Sequence, residues 1–158
     1  VTLGTYLGEI GFSGTDIGDI YSTVSLGAII APLFVGIIAD RFFSAQQVLG
    51  AMHLIGGGLL YVTSTMQTPS TVYWMLLLYA MCYMPTLAIA NAVAFFQMKT
   101  PEKQFPPIRV LGTIGWIIAG VIISVMKLEP TATPLQIGAG VSILMGIYAF
   151  TLPNTPPQ

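Results

Sequence analysis

The chain has 158 residues, of which 54% are hydrophobic and only 7% charged, with a mean hydropathy of +0.81 and a formal net charge of −1. A soluble domain carries about 25% charged residues to cover its surface, so this composition excludes a soluble domain, a soluble enzyme and a basic nucleic-acid-binding module. Lipid is therefore predicted to surround most of the chain. The single Cys82 excludes a disulfide framework or a zinc cluster within it.

Long apolar runs follow one another along the chain. A helix needs about 20 apolar residues to cross a hydrocarbon core of about 30 Å. The chain opens in apolar sequence without a signal-peptide start, so Val1–Leu7 is predicted to be the end of a helix and the chain a fragment. Barrel strands alternate polar and apolar residues over about 10 residues, which these runs do not. We expect an all-α, polytopic transmembrane helix bundle with five further helices: Ile17–Ala39, Val48–Met66, Val72–Phe96, Ile108–Met126 and Leu135–Leu152.

Short segments rich in Pro, Gly, Ser and Thr separate these runs, and they are typical of helix ends. The longest spans Lys99 to Pro107. Because the connections are short, successive helices are predicted to pack as antiparallel neighbours.

The basic residues are distributed unevenly between the two ends of the helices. Arg41, Lys99, Lys103 and Arg109 fall on one side of the membrane. The opposite side has Lys127 as its basic residue and an acidic group, Glu9, Asp16, Asp19 and Glu129. Positive charge marks the cytoplasmic side, so the last residues, Asn154 to Gln158, are expected in the cytoplasm.

Several polar or small residues lie within the predicted spans. Tyr79, Tyr83 and Thr86 share one helical face and are predicted to point at other helices. His53 is predicted to be an interfacial residue near the start of its helix. The glycines of the third, fifth and sixth helices are interpreted as helix-packing positions: Gly56, Gly57, Gly58, Gly112, Gly115, Gly120, Gly138 and Gly140.

Arg109 is the most informative polar residue. Thr113 and Trp116 follow it at helical spacing, so one face combines a cation, a hydroxyl and an aromatic plane. The spacing leaves two interpretations open, a ligand site or an arginine that extends to the cytoplasmic headgroups. With a helix start at Pro106, Arg109 is expected about one turn inside the membrane.

Three segments resemble a known transporter family. The segment from Gly36 to Ser44, with Asp40-Arg41, resembles the loop signature of the major facilitator superfamily. Tyr83-Met-Pro-Thr-Leu87 with Asn91, and Phe105-Pro-Pro-Ile-Arg109 with Gly112-Thr113-Ile-Gly115, resemble its nucleoside:proton symporter family. The resemblance implies that residues 1–153 are the amino-terminal half, from the end of helix one to helix six. Residues 154–158 would begin the central cytoplasmic linker.

The resemblance also implies a function and its residues. It implies a proton-coupled nucleoside transporter of the bacterial inner membrane, which works by alternating access with a second six-helix half and needs no cofactor besides the coupling proton. Arg109, Thr113, Trp116 and Tyr83 would bind the nucleoside, and Asp40 and Arg41 would stabilise the outward-facing state at the cytoplasmic gate. Two alternatives stay open: a transporter of another cargo (a sugar, a nucleobase or a drug-like molecule) and a non-transporting membrane partner protein.

Overall fold

The structure, a computed structural model, describes residues 3–128 and 130–154, and at positions 36, 39, 40 and 101 its backbone only. Within this part of the chain the regular structure is entirely α-helical, which confirms the predicted fold class. Six helices follow one another: α1 Leu3–Glu9, α2 Gly14–Arg41, α3 Ala45–Ser64, α4 Pro69–Gln97, α5 Pro101–Val125 and α6 Thr133–Ala149. Glu129 and the end of the predicted linker, 155–158, lie outside the described residues.

The helices begin a few residues before the apolar runs, because their first turns contain polar residues and prolines, and in α2 two polar side chains also cap the helix start. Helix α2 starts at Gly14 rather than at Ile17, where Ser13 and Asp16 form a capping box. The Asp16 N–H donates to Ser13 Oγ (3.1 Å), and the Ser13 N–H donates to an Asp16 carboxylate oxygen (3.2 Å). Hydropathy does not detect such turns, because their residues are polar.

The predicted connection from Lys99 to Pro107 is wrong from residue 101 onward, because α5 already begins at Pro101. Pro106 and Pro107 lie inside the helix. Each lacks an N–H, so the carbonyl groups four residues earlier lose their helical donor. Those carbonyls belong to Glu102 and Lys103, which are exposed. The prolines are therefore accommodated near the helix start instead of marking it.

Helix packing does not follow chain order. The most extensive contacts join α3 to α6, α2 to α4, and α3 to α4, whereas α1 with α2, α2 with α3 and α4 with α5 touch only slightly. Among the described helices, the prediction that successive helices pack as neighbours is confirmed for α3 and α4, whereas the other successive pairs make little contact. These runs are apolar on every face, so hydropathy does not determine which face meets which helix; close approach at small residues does.

Glycines bring the backbones of α3 and α6 together. A Cβ added at Gly50 would lie 2.9 Å from the Gly146 carbonyl oxygen, and one added at Gly146 would lie 2.9 Å from the Gly50 carbonyl oxygen. The packing role predicted for Gly56, Gly57 and Gly138 is confirmed by neighbouring helices. Five other glycines face open space. A Cβ added at any of them would have no described atom within 4 Å apart from the backbone of its own helix: Gly58, Gly112, Gly115, Gly120 and Gly140.

Within the described residues, three helices have the length and apolarity to cross a membrane: Gly14–Val35 within α2, Pro69–Gln97 and Glu102–Val125. Helix α6 is a shorter apolar helix of 17 residues. Helix α3 has 20 residues, but Gln46, Gln47 and His53 make it more polar than the sequence interpretation assumed. The described helices together form a polytopic membrane bundle.

Candidate functional site

The candidate site is one face of helix α5. Arg109, Thr113 and Trp116 are spaced by four and three residues within this continuous helix, so their side chains project from the same side. All three are exposed in the described chain, Trp116 at 68%. The structure therefore brings these three predicted residues together on an open surface.

The position of Arg109 along its helix follows from where α5 begins. Since α5 starts at Pro101, Arg109 lies about two turns along it, at about 12 Å from the start given 1.5 Å per residue. The expectation of a single turn is corrected, because it relied on a helix start at Pro106. Thr113 and Trp116 lie farther along, near the middle of the 25-residue helix.

The polar groups of this face keep unused hydrogen-bonding capacity. Thr113 Oγ1 donates to the Arg109 carbonyl oxygen (3.3 Å), which satisfies the hydroxyl hydrogen within the helix. The hydroxyl oxygen retains acceptor lone pairs, and a guanidinium carries five N–H donors in one plane. Beside the Trp116 ring, the face offers planar donors, an acceptor and a stacking surface to a flat polar ligand.

Tyr83 lies in a different setting. It is on α4, where its ring stacks on Tyr79 with centroids 5.6 Å apart and planes at 11°. Both tyrosines line a cavity of about 230 Å³ whose wall is formed mainly by α2 and α4, with single residues from α1, α3 and α6. No described contact joins Tyr83 to the α5 face, so the structure does not assemble the four predicted substrate residues into one cluster. The prediction that the Tyr79–Thr86 face meets other helices is confirmed, since Thr86 is buried and both rings are half-buried.

His53 is placed differently from the prediction. It lies near the middle of α3, not near the start of the helix, and the half-buried ring approaches α6. Its Nδ1 is 3.4 Å from Ser142 Oγ, and that hydroxyl donates to the His53 carbonyl oxygen (2.7 Å). The ring also meets Tyr83 edge-on at 6.5 Å. Hydropathy placed His53 too close to the helix start, because α3 begins at Ala45, three residues before the apolar run.

The predicted gate residues lie at the end of α2. Arg41 is the last residue of the helix and is exposed, whereas the side chain of Asp40 lies outside the described part. Next to them, Ser44 Oγ donates to Asn154 Oδ1 (2.9 Å) and Gln46 Nε2 donates to the same oxygen (3.1 Å). These bonds join the start of α3 to the segment after α6.

An all-helical bundle with apolar spans and a polar aromatic face on one helix is typical of a membrane transport protein. Comparison with known proteins identifies the family: the model of the Nucleoside H+ symporter family matches residues 1–158. The chain belongs to this family, and it is a multi-pass membrane segment.

Related proteins agree with this assignment along the whole chain. The Escherichia coli (strain K12) protein YegT is 42% identical over 165 residues, and the match covers 100% of this chain and 39% of YegT. The xanthosine permease of the same organism is 38% identical, with 99% of this chain and 38% of the permease covered.

Solved structures give the same result for the fold. A crystal structure of a variant of the nucleoside transporter NupG superposes with a TM-score of 0.95 at 34% identity, over 98% of this chain and 40% of that one. The unsubstituted NupG structure gives a TM-score of 0.90 at 32% identity. The fold is therefore that of the amino-terminal part of a major facilitator transporter, and the chain spans about two-fifths of the length of these relatives.

Proposed function

We propose that this chain is the amino-terminal half of a bacterial inner-membrane symporter that takes up nucleosides together with protons. The observation that carries the proposal is the family match over residues 1–158, in a chain whose fold superposes on a nucleoside transporter at a TM-score of 0.95. The exposed face of α5 is consistent with it. Residues 1–153 would form the half-transporter, and 154–158 would begin the cytoplasmic linker.

The open face of α5 would border the substrate cavity. Every residue from Pro106 to Ile122 is exposed in the described chain, so no described residue covers Arg109, Thr113 or Trp116. A second six-helix half would lie across the cavity, and the two halves would rock about a site near the membrane midplane. Asp40 and Arg41 would stabilise one of the two states.

Each residue of the face would meet a different part of a nucleoside. The indole of Trp116 would stack on the base, which is flat and apolar on its faces. Arg109 would donate to base carbonyls or ribose oxygens, and Thr113 would accept from a ribose hydroxyl. Tyr83, in the α2–α4 cavity, would contribute from the side. The proton is the coupling ion, and its acceptor would lie in the other half.

Uptake by cells that express the full-length parent tests the proposal. Labelled uridine and adenosine are supplied with and without a protonophore. We expect uptake that collapses when the proton gradient is removed. Failure to take up either nucleoside, by protein shown to reach the membrane, would overturn the cargo assignment. A competition panel of sugars, nucleobases and drug-like molecules would then identify the alternative cargo.

Removal of Arg109 tests the site. We expect Arg109→Ala to reduce uptake efficiency about 10- to 150-fold, because a hydrogen bond to a charged group contributes about 1.5–3 kcal/mol and its loss leaves the ligand unpaired. Lys103→Ala is the matched control. It removes a cation from the same helix but from another face, and it should leave uptake nearly unchanged. Equal uptake by the Arg109→Ala and unsubstituted proteins would show that the site lies elsewhere.

A further inference from the structure

Helix α5 is connected to the bundle by a short segment and one pair of aromatic rings. Helix α4 ends at Gln97 and α5 starts at Pro101, so three residues connect them. The Met98 N–H donates to the Phe95 carbonyl oxygen (3.3 Å), which ends α4 in a tight turn. The turn places Phe105 of α5 against Phe95 of α4, with ring centroids 4.5 Å apart and planes at 30°.

The first turn of α5 is tied back to this connection by a side chain. Gln104 Oε1 accepts from the backbone N–H of Lys99 (3.0 Å) and of Thr100 (3.2 Å). These N–H groups precede the helix and have no helical acceptor. The bonds therefore hold the connection and the helix start as one unit, directly beside the ring pair.

Beyond this point the described chain offers α5 little support. The contact between α4 and α5 is small, and the residues from Pro106 to Ile122 are exposed. Within the described residues, Phe95 and Phe105 form the ring contact that joins α5 to another helix. The rotation of α5 about its own axis consequently depends on the pair and on the Gln104-capped turn.

Phe105 belongs to the same face as the candidate site. Residues four apart in a helix are rotated by about 40°, and residues eleven apart by about 20°. Phe105, Arg109 and Trp116 thus form one stripe along α5. A change in the rotation of the helix at Phe105 would turn Arg109 and Trp116 by the same angle.

The geometry points to Phe95 and Phe105 as positioning residues: their ring pair holds α5 in the rotation that presents Arg109 and Trp116 to the substrate. The identity of the bound substrate rests on the proposed function. The role of the ring pair in orienting α5 does not depend on that function. Neither ring needs to touch the nucleoside. Loss of the pair misplaces the binding face, so it weakens substrate affinity without changing the transport cycle.

Kinetics of uridine uptake by the full-length transporter test the inference. Phe105→Leu and Phe95→Leu should each raise KM about three- to ten-fold, the range that corresponds to an aromatic pair. The maximal rate per transporter in the membrane should stay unchanged. The double variant should be no worse than either single variant, because both remove the same contact. Phe105→Tyr keeps the ring and should restore the unsubstituted KM.

Phe96→Leu is the matched control, since Phe96 is an exposed neighbour on α4 without a described ring contact. If Phe105→Leu fails to reach the membrane, Phe95→Leu decides the question, because it leaves α5 unaltered. An unchanged KM in Phe95→Leu, or an equal increase in Phe96→Leu, would overturn the inference.

A distance measurement separates this inference from the proposed function. Spin labels are attached at Leu87→Cys on α4 and Ile118→Cys on α5, in full-length protein with Cys82→Ala and no other reactive cysteine. We expect the distance distribution to shift or broaden when Phe105→Leu is added and to stay unchanged with Phe96→Leu. An unaltered distribution with Phe105→Leu overturns the inference even if nucleoside uptake is established. A shifted one supports it even if uptake is absent.

Discussion

At the scale of single residues, polar side chains in the membrane interior are satisfied mainly by neighbouring backbone. Ser142 is the clearest example, because it is buried and its hydroxyl donates to the His53 carbonyl oxygen of another helix. Several threonines instead donate within their own helix, as Thr63 does to the Leu59 carbonyl oxygen (2.8 Å). A hydrogen bond between helices adds to packing, whereas one inside a helix does not.

Ser142→Ala should therefore destabilise the contact between α3 and α6. We expect a loss of about 0.5–1.5 kcal/mol, the range found for hydrogen bonds between membrane helices. Thermal unfolding of the solubilised full-length protein measures it as a lower Tm. Ser25→Ala, at an exposed site within α2, is the control. A Tm equal to that of the control would show that the hydroxyl contributes nothing.

At the scale of helices, small residues decide which partners meet. In α6, Gly146 faces the Gly50 carbonyl oxygen and Leu54, whereas Gly140 faces open space, although both occupy the same helix. A methyl group at Gly146 would lie 2.7 Å from Leu54 Cγ, which is too close without displacement of α3. The two glycines have similar sequence surroundings and different structural roles.

Gly146→Ala should lower the stability of the bundle by about 1–3 kcal/mol, the usual cost of an overpacked core. Gly140→Ala should be neutral or stabilising by up to about 1 kcal/mol, because alanine favours helix over glycine. Comparison of the two Tm values in otherwise unsubstituted full-length protein tests this. If Gly140→Ala proved the more damaging change, the α3–α6 crossing described above would be wrong.

The sequence predicts the helices better than it predicts the contacts between them. Hydropathy predicts the five long helices in order, because lipid requires long apolar runs. It misses the first turns of α2 and α5, where Ser13 and Gln104 cap polar helix starts. It also fails to predict helix partners, which depend on where Gly50, Gly57 and Gly146 let backbones approach. The α5 face was predictable since its spacing is local, whereas the separate position of Tyr83 depends on how α4 packs.

At the scale of the whole molecule, the open surface of α5 and the distribution of charge both bear on how the chain lies in the membrane. The described α5 has a long uncovered face, and the chain spans about two-fifths of its relatives, 39% in YegT. If the proposed function is correct, further helices would lie across this face and close a cavity over it. If Arg109 binds the substrate as proposed, the orientation of the chain in the membrane determines from which side the substrate first reaches it.

The positive-inside rule predicts that the start of α5 faces the cytoplasm and its end faces the outside. Lys103 and Lys127 are exposed and lie at opposite ends of this helix. Full-length protein carrying Cys82→Ala and either Lys103→Cys or Lys127→Cys, with no other reactive cysteine, is treated in intact cells with a maleimide that cannot cross the membrane. We expect labelling of Lys127→Cys alone, and of Lys103→Cys only after the membrane is opened. The reverse pattern would invert the half, so that the Arg109 end of α5 would face the outside and Asp40-Arg41 would lie at the outer gate. Labelling of both sites in intact cells would mean that α5 does not cross the membrane, and the substrate face would have to be sought on another helix.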